Sequence, residues 1–394
     1  MKLLLVLLLW AATAIAVPPV RVPKVGTPIP GKYIVKLSRR NFTETLKNTR
    51  KFLKKDPTHV YQTGDFAGFA ADLDDDAVKQ LRRQPNVDYI EQDAVAGTTL
   101  EESLNHFEKR AFVTQSSSTW GLARLSHKLT GSSSYTYDDS GGSNTCVYII
   151  DTGIDAAHPD FEGRATFLTN LAGDNLNTDG NGHGTHCAGT IGSKTYGVSK
   201  KARLFGVKVL DSSGAGANSA VIAGLNFILT DSSTRSGCRN GFIVSMSLGG
   251  AASAAVNSAV ADVTAAGIFV AVAAGNSAQD ASTFSPASEP SVFTVGATNS
   301  TDGFAYFSNY GSTVDLLAPG VDVVSLWPNS SINTLSGTSM AAPHVAGLAA
   351  YILSYEGRKT RLTDRLTALS TKGAISNLPA GTRNCLAFNG NPTG

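Results

Sequence analysis

The sequence is poor in several things at once. Only 16% of its 394 residues are charged, and the formal net charge is +2. A balance so near neutral gives neither the basic field that binds nucleic acid nor one that holds a protein on an anionic membrane. Tryptophan and methionine number three each, and cysteine four. Cys146, Cys187, Cys238 and Cys385 allow three pairings, and spacing alone does not choose among them. Beyond Leu3–Trp10 no apolar run is long, and that one is too short to span a bilayer. No Glu separates His183 from His186, so the zinc-protease spacing is missing. Ser339 lies in Gly-Thr-Ser-Met-Ala and not in a Gly-x-Ser-x-Gly elbow. There is no internal repeat. What remains is a chain that is 42% hydrophobic, a globular composition with no sign of disorder.

Lys2, the apolar run and Ala14-Ile15-Ala16 form a secretory signal ending at residue 16. The protein is expected to be exported and extracellular, where disulfides persist. Residues 17–110 then form a unit of their own. Val17–Pro30 is proline-rich. Lys32–Leu37, Phe66–Leu73 and Val87–Glu91 read as strands, with helices over Phe42–Leu53 and Asp75–Arg83. The order β-α-β-α-β implies a small α+β unit with helices on one face of a sheet. It carries 16 Lys and Arg against 13 Asp and Glu, whereas residues 111–394 carry 16 against 18. The opposite signs suit contact between the two. Gly97–Arg110 reads as an exposed linker ending in the basic pair Lys109-Arg110.

From Trp120 the composition turns to Gly, Ala, Ser and Val. Apolar runs at Val147–Ile150, Leu204–Leu210, Phe242–Met246, Ile268–Ala273 and Val292–Val295 alternate with helical stretches. Those stretches are His183–Ile191, Ser219–Leu229, Ala252–Ala265 and Met340–Tyr355. The alternation predicts an α/β domain, a mostly parallel sheet with helices on both faces.

Four polar residues stand where such a sheet places its chemistry, beyond strand ends and at helix starts. Asp151 ends the run Cys146–Ile150, suited to orient an imidazole. His183, between two glycines, opens a helix and looks mobile, whereas His186 and His344 read as structural. Asn276 follows the strand Ile268–Val272 and offers an amide donor. Ser339 opens the Ala-rich helix, where unpaired N–H groups and the helix dipole favour a developing oxyanion.

Asp151-Thr152-Gly153-Ile154-Asp155, His183-Gly184-Thr185-His186-Cys187 and Gly337-Thr338-Ser339-Met340-Ala341-Ala342-Pro343 resemble the three signature motifs of the subtilisin-like serine proteases. The resemblance is to secreted fungal members of the proteinase K group and runs from Trp120 to the C-terminus. The order Asp–His–Ser is that of subtilisin. Lys32–Asp93 resembles the family's ferredoxin-like inhibitory propeptide, which also assists folding. The resemblance implies a monomeric, broad-specificity secreted endopeptidase; self-cleavage fits the family but prefers an apolar P1, whereas Lys109-Arg110 suits a dibasic processing protease and sets the expected propeptide end at Arg110. The enzyme's partners are protein and peptide substrates and its own propeptide, and its catalysis uses no cofactor. Ser339 is then nucleophile, His183 base and acid, and Asp151 its orienting partner, with Asn276 in the oxyanion hole.

The same resemblance assigns Gly214, Ala215, Gly216, Ser247, Leu248 and Gly249 to two backbone edges that flank a bound peptide. Ala273, Ala274 and Gly275 line an apolar S1 pocket, which predicts apolar or aromatic P1 residues. Asn218 falls near the S4 rim, where relatives often place an aromatic. Pro290, Val292 and Asp315 match a structural calcium site, which suits oxygen ligands. Cys146 and Cys238 align with a disulfide. Cys187 aligns with a buried free thiol, and Cys385 has no assigned partner. Asn41, Asn299 and Asn329 head glycosylation sequons. Two alternatives remain: a catalytically silent protein-binding relative, and an esterase using the same triad.

Overall fold

A computed structural model of the chain describes residues 18–22, 27–63, 66–97, 101–102, 113–357 and 361–394. The signal segment and the Lys109-Arg110 boundary lie outside these residues. The N-terminal unit is a sheet with strands in the order Val20–Arg21, Val87–Gly97, Pro28–Leu37, Phe66–Asp72, His59–Thr63. Its pairings are antiparallel apart from the first. The strand His59–Thr63 is absent from the sequence reading. His-Val-Tyr-Gln-Thr is too polar and too short to show a period, and pairing with Phe66–Asp72 makes it a strand.

Because strand side chains alternate, this sheet has two different faces. Val35, Leu37, Ala67, Phe69 and Ile90 pack with Phe42 and Leu81 of the helices Phe42–Arg50 and Asp75–Leu81. Ile34, Tyr61, Phe66 and Ala70 point the other way and join a core cluster of the larger domain.

The larger domain is built on nine strands. Their order is Ala165–Asn170, Arg203–Lys208, Thr145–Asp151, Gly241–Met246, Phe269–Ala273, Phe293–Thr298, Leu316–Pro319, Cys385–Leu386, Thr371–Lys372. All neighbours are parallel except the last pair. Thr145–Asp151 comes first in sequence but lies inside the sheet, so the winding reverses beside it. A ligand crevice opens at such a switch point, beyond the carboxyl ends of the strands. Asp151 is the last residue of that strand.

Val147 and Ile149 face the helices His183–Gly192 and Thr338–Glu356, whereas Cys146, Tyr148 and Ile150 face Asn218–Ser232 and Ala254–Ala265. A disulfide joins Cys146 to Cys238, and Cys187 and Cys385 are free thiols. The helices Trp120–Ser126 and Leu362–Leu369 were not anticipated.

Candidate active site

The site assembles where the strand Thr145–Asp151 meets the starts of two helices. At the first, Gly184 passes so close to the turn after Asp151 that a Cβ there would lie 2.1 Å from the Gly153 carbonyl oxygen. A side chain would hold the helix away, so the glycine is a condition of the contact. His183 Nδ1 then lies 2.7 Å from Asp151 Oδ1. Both side chains are fully buried. The corner is braced by Asp179. Its carboxylate accepts from Thr152 Oγ1 at 2.8 Å, Gly182 N at 2.8 Å, Thr185 N at 2.8 Å and Thr185 Oγ1 at 2.6 Å. Lys208, wholly buried, donates to the carbonyls of Thr152 and Leu210 at 3.0 and 2.9 Å. Neither Asp179 nor Lys208 was singled out by the sequence, because the contact of each to the turn after Asp151 is distant in the chain.

In this structure the glycines beside His183 let the helix start against Asp151. Burial alone would depress the His183 pKa, but the negative charge of Asp151 outweighs this and holds the imidazole well above the usual histidine range. Its Nε2 has no hydrogen-bond partner among the described residues. His186 and His344 behave as expected. His186 Nε2 meets the Val323 carbonyl at 3.0 Å and His344 Nδ1 the Met340 carbonyl at 2.8 Å. Burial pushes them down to about 3 and about 4, so both are neutral structural groups.

The second helix is Thr338–Glu356, and Pro343 lies inside it. Proline has no N–H, so the carbonyl four residues back, that of Ser339, loses its helical donor. The Ser247 hydroxyl and the Cys187 thiol donate to that carbonyl instead, at 2.8 and 3.4 Å. In return Ser339 Oγ donates to the Ser247 carbonyl at 3.1 Å. The Ser339 turn is thus tied to the end of the strand Gly241–Met246 and to the helix of His183. Asp151, His183 and Cys187 offer ligand atoms within 4.8 Å of one another, the one such group among the described residues. Burial raises the Cys187 pKa, and its thiol is engaged by the Ser339 carbonyl.

Asn276 follows the strand Phe269–Ala273, and its Oδ1 accepts from Thr338 N and Oγ1 at 2.9 and 2.6 Å. The amide is fixed directly beside Ser339. Ala215–Ala217 forms an edge strand, and Val95–Gly97 of the N-terminal unit lies antiparallel on it, in the register Ala215↔Gly97, Gly216↔Ala96, Ala217↔Val95. Asn218 lies directly after the edge strand on which Val95–Gly97 rests. It is buried as the first residue of the helix Asn218–Ser232.

A family model described as the subtilase family matches residues 142–383, and one described as peptidase inhibitor I9 matches residues 32–98. The chain belongs to the subtilases. This subtilase is 52% identical over 379 residues to the subtilisin-like serine protease AsES of Sarocladium strictum, covering 95% of this chain and 94% of that protein. It is 49% identical to a cuticle-degrading protease of Metarhizium anisopliae, with coverages of 94% and 93%. It is 53% identical to proteinase T of Parengyodontium album over 77% of this chain and 99% of that one. A solved cold-adapted subtilisin-like serine proteinase superposes with a TM-score of 0.65 at 40% identity, over 69% of this chain and 98% of its own. The protein is a serine endopeptidase carrying an I9-type propeptide. Its fungal relatives are secreted proteases of the proteinase K kind.

Proposed function

We propose that this subtilase is a broad-specificity secreted endopeptidase working through Asp151, His183 and Ser339. The observation that carries the reading is the buried 2.7 Å contact between His183 Nδ1 and Asp151 Oδ1, made beside the start of the Ser339 helix. His183 Nε2 takes the proton of Ser339 Oγ as that oxygen attacks the scissile carbonyl carbon. The carbonyl oxygen becomes an oxyanion held by the Asn276 amide and the Ser339 backbone N–H. Collapse breaks the C–N bond, and the imidazolium returns its proton to the leaving amine. Water repeats the attack on the Ser339 ester with His183 again as base. The acid is released, and the proton returns to Ser339 Oγ. Asp151 fixes the tautomer and stabilises the imidazolium.

Substrate backbone lies between Gly214-Ala215-Gly216 and Ser247-Leu248-Gly249 as an added strand. The position of the chain's own Val95–Gly97 strand on the first edge supports this. Main-chain pairing reads little sequence, which accounts for breadth. Ala273, Ala274 and Gly275 bring no charge to the P1 side chain, so large apolar and aromatic residues are preferred there. Residues 1–16 direct export, residues 17–110 form the propeptide, and the mature monomer begins at Ala111, which lies outside the described residues. No helix among the described residues is long and apolar enough to cross a membrane. Asn41, Asn299 and Asn329 are the candidate glycan carriers. Asn41 and Asn329 are exposed, and Asn299 holds its own turn through Oδ1.

Calcium is a structural partner and not a catalytic one. The Asp315 carboxylate is pushed up by burial, and Arg383 approaches it at 3.4 Å. A half-buried carboxylate that, among the described residues, accepts only from Thr294 N at 3.0 Å and meets Arg383 at long range fits a hard cation, with the carbonyls of Pro290 and Val292 as further oxygen ligands.

The test is hydrolysis of an apolar-P1 peptide anilide by processed enzyme beside Ser339→Ala. The variant is expected to lose on the order of 10⁶ in kcat, the scale recorded for subtilisin itself. The parent rate is expected to rise with pH as the His183 imidazolium gives up its proton. An unchanged rate in Ser339→Ala would refute the assignment.

A further inference from the structure

The loop that carries Asn276 is held from behind by a residue that no motif singles out. Asn309 lies between the strands Phe293–Thr298 and Leu316–Pro319 and is fully buried. Both arms of its side-chain amide reach one loop. Nδ2 donates to the Ala274 carbonyl at 2.9 Å, and Oδ1 accepts from Ser277 N and Gln279 N, each at 3.0 Å. The Asn309 backbone N–H donates to the Gly275 carbonyl at 2.8 Å. The bonds fall two residues before Asn276, one before, one after and three after, so they bracket it. The approach is close: Gly275 has φ +102°, and a Cβ there would lie 2.5 Å from Asn309 Nδ2. Only glycine satisfies both the left-handed conformation and the space. On the opposite side Thr338 completes the grip, accepting from Gly275 N at 3.0 Å and donating to Asn276 Oδ1.

The side chain here must donate in one direction and accept in another. An aspartate could not donate to Ala274 and would bury a charge. An apolar residue would take the partner from the buried Ala274 carbonyl and release the Ser277 and Gln279 N–H groups that hold the loop's far end. The loop so held contains both the Ala273–Gly275 wall and the amide beside Ser339. An oxyanion hole acts through donors fixed before the charge develops, and slack in their support subtracts from the rate and not from ground-state binding.

We propose that Asn309 is a positioning residue of the oxyanion hole, setting where the Asn276 amide stands relative to Ser339. The inference rests on the reading of Asn276 as an oxyanion donor. The experiment is a double-mutant cycle in processed enzyme with Asn309→Ala, Asn276→Ala and both together. It measures kcat and KM on a peptide anilide and the affinity of a peptide aldehyde, whose adduct places an oxygen in the hole. Asn309→Ala is expected to lower kcat by roughly 10- to 100-fold, the scale on which a misplacement of about 1 Å acts. KM should stay close to the parent value, and aldehyde affinity should fall by the same factor as kcat. Asn276→Ala should lose on the order of 10²–10³, a figure that comes from a subtilase, and the double variant should be no worse. Asn309→Asp keeps the acceptor and the shape, and should fall between parent and Asn309→Ala. Factors that multiply in the double variant, or a change in KM alone, would overturn the role of Asn309. An Asn276→Ala enzyme with full kcat would remove the donor reading and this inference with it. Failure of both Asn309 variants to give folded, processed enzyme would also overturn it, by making Asn309 a folding residue.

Discussion

The two sheets of this molecule are finished in different ways. The peptidase sheet is covered on both faces by helices of its own segment, His183–Gly192 and Thr338–Glu356 on one side and Asn218–Ser232 and Ala254–Ala265 on the other. The propeptide sheet has its own helices on one face only. Its second face, with Ile34, Tyr61, Phe66 and Ala70, is completed by the peptidase. A unit this small buries too little of its own surface to stand comfortably alone. Its order is therefore linked to the surface it covers, which gives its inhibition a physical origin. Polar contacts follow the same division. Tyr61 donates its hydroxyl to the Ser219 carbonyl at 3.1 Å, and Phe66 N donates to Asp262 Oδ2 at 3.0 Å. Glu91 accepts from the Ser253 hydroxyl at the start of the Ala254–Ala265 helix, and Asp93 from Ser219 N at 3.4 Å at the start of Asn218–Ser232. Two acids, two residues apart on one strand, thus meet two helix N-termini, where negative charge is favoured.

The contrast is tested most strongly by deleting one ring from each face. Phe66→Ala should weaken the propeptide's hold on the peptidase by about 3–5 kcal/mol, the usual loss for a buried Phe. Phe69→Ala, on the helix face, should lower the propeptide's own stability by a similar amount. Inhibition constants of the separate propeptide against mature enzyme, with circular dichroism of the propeptide alone, distinguish the two. If Phe66→Ala loses propeptide structure in isolation as fully as Phe69→Ala does, the faces are not different in kind.

A smaller effect concerns pH. Burial raises the pKa of both Glu91 and Asp93 in the assembled molecule. Each therefore holds its proton more firmly in the complex than in the free propeptide, and assembly takes up protons between the ordinary carboxylate value and the raised one. The propeptide should bind most tightly at the acid end of that window, weaken as pH rises through it, and level off above. Glu91→Gln with Asp93→Asn should flatten the profile. The substituted propeptide is expected to bind tighter than the parent above that window and to show no pH dependence within it, read from inhibition constants across pH.

The smallest effect lies wholly in the peptidase. Chelating calcium should lower the melting temperature of mature enzyme by a few degrees, since about 1 kcal/mol moves a domain of this size by roughly 2–4 °C. Asp315→Ala should begin at the lower temperature and respond no further to chelator. Calorimetry with and without chelator would separate this from any loss of activity.

Much of this was legible in the chain because its physics is local. A buried parallel strand is a short apolar run, so Val147–Ile150, Phe242–Met246 and the others marked the sheet, and the polar residues at their ends marked the crevice. Helix starts at His183 and Ser339 were legible through their small neighbours. What could not be read depends on distant pairing. His59–Thr63 is a strand only through its neighbour. Asp179 and Asn309 acquire meaning from partners 27 and 35 residues away. The glycines beside His183 let the helix start close against Asp151, a contact between segments distant in the chain.

The strand Val95–Gly97 has a consequence beyond shielding the edge on which it lies. While the chain is continuous, that strand is a ligand tethered to its receptor, at an effective concentration that dilution does not alter. Once the linker is cut, the same contacts belong to two molecules, and their occupancy falls with total concentration. The enzyme would then be restrained where it is crowded and released where it is dilute. The volume into which it is delivered becomes part of its activation.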